Sequence, residues 1–462
     1  MSERVGLSNA RMACFSLPLS HLVLLLHLLF VLFAPIPVTA ISLQTQCPSD
    51  FISPSPSRHR SCPVPVDDET GHDSSPRPWT HPPYCLTPHL PTSSAAVDKL
   101  CVYTSSSYND NSGISIIATP ETAAALANAV QNPLPAWHAR QHIARRGRLQ
   151  SHELSRKDTK NDKASPLPYT VITIPGKGQG VVATRHIAQF ETILTSFPAM
   201  VVDNELFPVE EDEGPPAEGP RLFQRALERL SDRERFEDLA RSRREAEHGV
   251  HIVEDVIRTN AFGITTPDGK EAKGLYPEIA RLNHACDPNA YPRFTKADLA
   301  MSAVATRDIL PGEEITISYV PLGMPTPYRH SSLSNWGFTC TCSLCTSPTS
   351  ARQASDARRE RLVEIFFSMR EPSTHYDTLV ELTKEFVEIV KVERLEAKVG
   401  EYYQAFMKIY YEFGDVESAL RYAQTALRYA ELFADPDGGF CTGLRGDLRL
   451  LEALIKKQRE SE

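Results

Sequence analysis

The stretch Arg281-Leu282-Asn283-His284-Ala285-Cys286-Asp287-Pro288-Asn289 packs amide, imidazole, thiol and carboxylate groups into seven residues, and Asp-Pro stops any helix there. Read alone, it is either a site or a polar loop whose Asn, His and Asp satisfy nearby backbone. Further along, Cys340-Thr-Cys342-Ser-Leu-Cys345 sets three thiols within six residues. That is too close for ordinary disulfides among them and well suited to thiolate coordination of one metal ion. A structural Zn2+ takes four ligands, and Cys286 is the candidate for the fourth. Such a site would pin the 340s segment against the 280s segment. Three reduced surface thiols are the other reading, but clustered free thiols are an oxidation liability.

The elements that must position these groups read mostly as strands. Tyr169 to Ile174 alternates in strand fashion, Gly176-Lys177-Gly178-Gln179-Gly180 follows, and a β-branched run resumes at Val181. The three glycines do not make a dinucleotide loop, because such a loop leads into a helix and this one leads into a strand. They predict a tight hairpin whose missing side chains let a ligand approach the backbone. Ile193 to Val202, Leu299 to Ala305 and Glu314 to Tyr319 are predicted strands, with a Pro311-Gly312 turn before the last. An acidic insertion begins at 203 and turns helical from Arg221 to about Arg258, with Phe223, Ala226, Leu227, Leu230 and Phe236 at three-and-four spacing.

Taken in order, Gly176-Lys177-Gly178-x-Gly180, Asn283-His284-Ala-Cys286-Asp-Pro-Asn289, Gly312-Glu-Glu-Ile-Thr-Ile-Ser-Tyr319 and Cys340-x-Cys342-x-x-Cys345 resemble the motifs of SET-domain protein lysine methyltransferases. The resemblance covers roughly 168 to 346. With Asn335-Trp336-Gly-Phe338-Thr-Cys340 it is closest to the SET-and-MYND group and its fungal relatives, without the MYND finger, since the insertion has no Cys. The resemblance implies an α+β chain: an irregular β SET fold over 168–320 with a pseudoknot, split by the insertion at about 203–258. It further implies a zinc-binding post-SET segment over 321–350 and an all-α C-terminal domain over 351–462.

The same resemblance implies transfer of a methyl group from S-adenosylmethionine to a lysine of a protein substrate, histone or non-histone. Lys177, Gly178 and Gly180 of the hairpin, with Asn283, His284, Tyr319 and Phe338, would hold the cofactor, Phe338 packing on the adenine. Tyr319 would be the active-site tyrosine, and Cys286, Cys340, Cys342 and Cys345 the Zn2+ ligands. Two positions depart from the family. Ala285 stands where a Ser is usual, and Trp336 stands where related enzymes place a second tyrosine. A larger indole without a hydroxyl acceptor narrows the channel, shifts how many methyls are added, or abolishes the reaction. A SET protein acting as a zinc-stabilised interaction module is therefore the competing expectation.

Around this centre lie less informative regions. A net charge of −9 with 23% charged residues in 462 does not favour binding to the nucleic-acid backbone and tolerates a cationic substrate. Residues 1–40 read as a secretory signal peptide, with an apolar run from Leu22 to Phe33 and small residues before 40, or as a signal anchor. Residues 41–167 read as a Pro/Ser-rich, largely irregular region, with a helix from Pro120 to Val130 and a basic linker over 139–163. Cys47, Cys62, Cys85 and Cys101 could pair in an oxidising compartment. The helical C-terminus places Tyr410, Gly414, Ala419 and Ala426 at the offsets of a tetratricopeptide-like (TPR-like) helix pair. The mature protein is expected to be monomeric and free of membrane. Localisation stays open, because the leader implies the secretory route and the family resemblance implies nucleus or cytoplasm.

Overall fold

The computed structural model describes residues 77–87, 99–131, 167–207, 218–241 and 251–461. The leader over 1–40, Cys47, Cys62 and the basic linker lie outside the described residues. Among the described residues, no helix is long and apolar enough to cross a membrane.

Three sheets carry the central region. The largest joins β1 (Tyr84–Leu86), β2 (Leu100–Ser105) and β3 (Ile114–Ala118) to β7 (Met200–Asp203), β9 (Glu271–Leu275) and β8 (Phe262–Thr265), in the order β1-β2-β3-β7-β9-β8. β1, β2 and β3 lie within the stretch expected to be largely irregular, where the sequence carries no sign of strands. The reason lies in burial on both faces. Cys101, Tyr103, Ile114 and Ile116 pack with Leu126 and Val130 of helix α1 (Pro120–Gln131). Leu100, Val102 and Ile117 instead pack with Leu222, Phe223 and Ala226 of helix α2 (Gly219–Arg229). A strand covered on both sides has no polar alternation to betray it. Cys85 and Cys101 face each other across β1 and β2 and are joined as a disulfide.

The expected single strand from Ile193 to Val202 is two strands. β6 (Thr192–Ser196) belongs to a three-stranded sheet, β11-β12-β6, with β11 at Ala290–Phe294 and β12 at Met301–Ala305. β7 belongs to the six-stranded sheet, and the break between them contains Pro198, which has no N–H for a ladder. The insertion is helical where described, in α2 and in α3 (Ile252–Asn260).

The third sheet positions the site. Its order is β10-β13-β5-β4, with β4 at Tyr169–Ile174, β5 at Gly178–Ala183, β10 at Asn283–His284 and β13 at Glu314–Ile317. β10 runs parallel to β13, with Asn283 opposite Thr316 and His284 opposite Ile317. Two residues of parallel pairing need reinforcement, and Asn289 provides it. Its Oδ1 accepts from Thr316 N at 2.8 Å and its Nδ2 donates to Glu314 O at 2.8 Å. The first of these bonds is buried and the second part-buried, and a backbone group so placed is costly to leave unpaired.

After α4 (Thr326–Leu333) the chain is helical: α5 (Thr349–Ser368), α6 (Tyr376–Val392), α7 (Val399–Glu412), α8 (Val416–Phe433) and α9 (Gly439–Ser461). α7 and α8 form a hairpin through a turn where Gly414 has φ +82°, and Asp415 caps α8 by accepting from Ser418 N at 2.9 Å. Ala419, Ala423, Ala426 and Ala430 are buried along α8. A Cβ on Gly400 would lie 3.4 Å from Ala430 N, so small residues set this close approach. The helical region meets the central one through Phe433, whose ring lies 6.0 Å from Phe190 and 5.7 Å from Tyr291, and through Arg394, which donates to Asp287 at 2.9 Å.

Candidate active site and metal centre

The glycine hairpin forms as expected, with Lys177 N donating to Ile174 O at 3.0 Å to close the turn between β4 and β5. Gly176 and Gly178 have φ of +75° and +74°, a backbone that residues with a Cβ resist, and the space above both is open. Gly180 is held for a different reason. A Cβ there would collide with the Ile174 side chain and sit 2.8 Å from Asn283 Nδ2. The hairpin and β10 therefore approach closely only because position 180 has no side chain.

Asn283 Nδ2 donates to Gln179 O at 3.1 Å and to Glu314 Oε1 at 3.0 Å, while Lys177 Nζ pairs with Glu314 Oε2 at 2.6 Å. Glu314 thus links two of the expected site residues, Lys177 and Asn283, a role that sequence reasoning missed. The signal was present, since Glu314 lies inside the Gly312-Glu-Glu motif five residues before Tyr319.

Tyr319 follows β13 and is the hub of an aromatic group. Its ring centroid lies 5.4 Å from His284, 5.6 Å from Trp336 and 6.4 Å from Phe338. Its hydroxyl donates to Leu282 O at 2.9 Å and its backbone N–H donates to His284 Nδ1 at 3.0 Å. Burial, with the nearby Glu314 carboxylate adding to it, pushes the phenol up to about 12. At neutral pH Tyr319 is therefore a protonated hydrogen-bonding group and not a base. Trp336 is half-buried, and its indole N–H donates to Thr259 O at the end of α3, 3.0 Å away. That carbonyl is a second partner the sequence did not disclose. Phe338 stays 38% exposed, with its ring centroid 6.1 Å from His284 of β10.

The four expected sulfur ligands converge. The Sγ atoms of Cys286, Cys340, Cys342 and Cys345 all lie within 4.8 Å of one another. Cys286 is 3.9 Å from Cys340 and 3.5 Å from Cys345. A tetrahedral site with Zn–S bonds of about 2.3 Å separates its sulfurs by about 3.8 Å, so the donor set fits one such ion. Val320, Leu333 and the side of Trp336 pack around the sulfurs as an apolar shell. His330 Nε2 lies 3.6 Å from Cys345 Sγ, at the long limit of a contact to sulfur.

Residues 178–320 match the SET domain family, and this central part of the chain is a SET domain. The chain is 41% identical over 88 residues to the histone-lysine N-methyltransferase SMYD3 of Homo sapiens, covering 19% of this chain and 20% of that protein. It is 33% identical over 94 residues to the histone-lysine N-methyltransferase ATXR2 of Arabidopsis thaliana, covering 20% of each. To the N-lysine methyltransferase SMYD2 of Homo sapiens it is 32% identical over 106 residues, covering 22% of this chain and 24% of that one. The matched stretches span only about a fifth to a quarter of these relatives.

Proposed function

We propose that this chain is a protein lysine N-methyltransferase that uses S-adenosylmethionine. The observation that carries the proposal is Tyr319: a half-buried, protonated phenol just after β13, ringed by His284, Trp336 and Phe338, on the strand whose Glu314 joins Lys177 of the glycine hairpin to Asn283. The named relatives, two histone-lysine and one N-lysine methyltransferase, support the same class.

The chain's own residues fit the cofactor. The open turn at Gly176 and Gly178 admits close backbone approach, Asn283 and Lys177 offer polar and cationic groups, and Phe338 offers a partly exposed ring. When bound, the cofactor would supply an electrophilic methyl group on a sulfonium, its thioether leaving in line as the substrate amine takes the methyl. Everything else falls to the protein. A lysine entering beside Tyr319, Trp336 and Phe338 is desolvated, which lowers its pKa and favours the neutral amine. The Tyr319 hydroxyl is positioned to orient that nitrogen, and alignment with electrostatics supplies the main catalytic effect. The amine's proton leaves to solvent, so no base is required of Tyr319.

The four thiolates are assigned to one structural Zn2+ that fixes the segment carrying Trp336 and Phe338. The C-terminal helices, with their TPR-like hairpin of α7 and α8, are assigned to one wall of the substrate groove. A histone or another protein would supply the lysine.

The test is direct. Purified protein is expected to bind labelled S-adenosylmethionine in equilibrium dialysis and to move the labelled methyl onto lysine in histones or a broad protein array. Neither binding nor transfer would overturn the proposal. Trp336 favours one competing reading, because its indole fills the place beside Tyr319 with no hydroxyl to offer. Cofactor binding without turnover on any substrate would establish that reading, an interaction module; restoration of transfer by Trp336→Tyr would tie the loss to that residue.

A further inference from the structure

His284 is 6% exposed and both of its ring nitrogens have partners. The Tyr319 backbone N–H can only donate, and it lies 3.0 Å from Nδ1, so Nδ1 carries a lone pair. The ring proton is then on Nε2, which lies 3.2 Å from Cys286 Sγ. The opposite tautomer would set two N–H groups against each other at Nδ1 and a lone pair against the sulfur at Nε2. Two contacts therefore select one tautomer, and the network assigns it.

We infer that His284 is a positioning residue that couples the metal centre to the active-site strand, donating Nε2–H to the Cys286 thiolate while accepting the Tyr319 N–H at Nδ1. The inference rests on the assignment of the four cysteines to a metal. An N–H donor to a ligating thiolate spreads its negative charge and fixes its orientation, as partners outside the ligand sphere commonly do. Here the donor sits two residues before its ligand on the same segment, and its other nitrogen holds residue 319. Metal capture by Cys286 thus sets the ring, and the ring sets the backbone from which the Tyr319 phenol projects. It follows that the imidazole has no nitrogen left for the cofactor, and that Asn283 is the member of that pair with a polar side chain facing the hairpin.

A buried histidine that merely fills space makes different predictions. The amide end of Gln reaches about as far as Nε2, whereas that of Asn reaches only as far as Nδ1. His284→Gln keeps a donor for the sulfur; His284→Asn keeps an acceptor for Tyr319 N–H and loses the donor. In competition with a chromophoric chelator, His284→Asn is expected to lower zinc affinity by about ten- to a hundred-fold. His284→Gln is expected to stay near wild type. Equal losses in both variants would overturn the inference.

A second measurement needs no variant to fold. Zinc-loaded wild-type protein with 15N-labelled histidine is expected to show, in long-range nitrogen–proton correlation, one ring with a protonated Nε2 and a lone pair on Nδ1 whose proton bonds sulfur. A reversed tautomer or an imidazolium at His284 overturns the inference while leaving the metal assignment standing. Absence of zinc in the native protein by elemental analysis overturns both.

Discussion

Replacing Tyr319 with Phe separates what the phenol does for the fold from what it does for the reaction. The substitution removes one hydroxyl and leaves Leu282 O without its donor 2.9 Å away. Leaving a buried carbonyl unpaired costs about 1–3 kcal/mol, so Tyr319→Phe is expected to be less stable by that amount at pH 8. The sign of the pH effect runs the other way. The phenol titrates near 10.0 when exposed and is pushed up to about 12 in the fold. Its stabilising contribution is complete below pH 10 and is lost as pH rises towards 12. At pH 11 the loss is about 1.4 kcal/mol, and the limiting loss is about 2.7 kcal/mol. The variant lacks this term, so its deficit relative to wild type shrinks by about 1.4 kcal/mol between pH 8 and pH 11. Other buried tyrosines, Tyr108 and Tyr276 among them, also titrate high, but they are common to both proteins and cancel in the difference. Urea unfolding at the two pH values measures it. The same variant is expected to lose methyl transfer on the order of a hundred-fold, the effect of removing one positioned hydrogen bond from a reacting site. A deficit unchanged with pH would refute the burial argument, and undiminished transfer would remove the hydroxyl from the chemistry.

Further outcomes follow from other contacts. Cys286→Ser is expected to reduce zinc from one ion per chain to a small fraction in elemental analysis, because three sulfurs remain and the fourth position is the one tied to β10. Asn289→Ala removes both side-chain bonds to β13, Thr316 N and Glu314 O, and is expected to lower stability by about 2–4 kcal/mol in urea unfolding. In the helical region Glu393 accepts from Arg359 at 2.8 Å, Arg358 at 2.7 Å and Ser355 at 2.6 Å, with Glu393 and Arg359 almost fully buried. Glu393→Ala strands a buried guanidinium and is expected to lower stability by about 3–5 kcal/mol, whereas an exposed pair such as Lys384 with Glu381 should change little when broken.

Much of the site was legible in the sequence because its logic is local or chemical. The glycines of the hairpin announce a bare backbone, and the sulfurs of Cys340, Cys342 and Cys345 announce a cluster short of one member, which the fold supplies as Cys286. The helices after 349 announce themselves by spacing. What stayed hidden depends on pairing across distance. Leu100 to Ser105 gives no alternation because opposite faces meet α1 and α2. Glu314 looks like an acidic turn residue until Lys177 and Asn283 arrive from other strands, and Trp336 gives no hint that its N–H reaches Thr259 O. His284 was readable as a polar residue in a site, but the direction of its two nitrogens is a property of Tyr319 and Cys286.

The parallel pairing of β3 with β7 bears on how the chain can be divided. Ser115, Ile116 and Ile117 lie opposite Met200, Val201 and Val202, so the strand that borders the SET domain's largest sheet is contributed from before its matched boundary. A fragment that begins at 167 would leave β7 with a bare row of N–H and C=O groups and would uncover Met200 and Val202, an invitation to edge-to-edge aggregation. During synthesis, β2 and β3 emerge long before β7 and must wait for it. A fragment that keeps this edge paired has to include β3, and with it β2 and β1, which complete the same sheet.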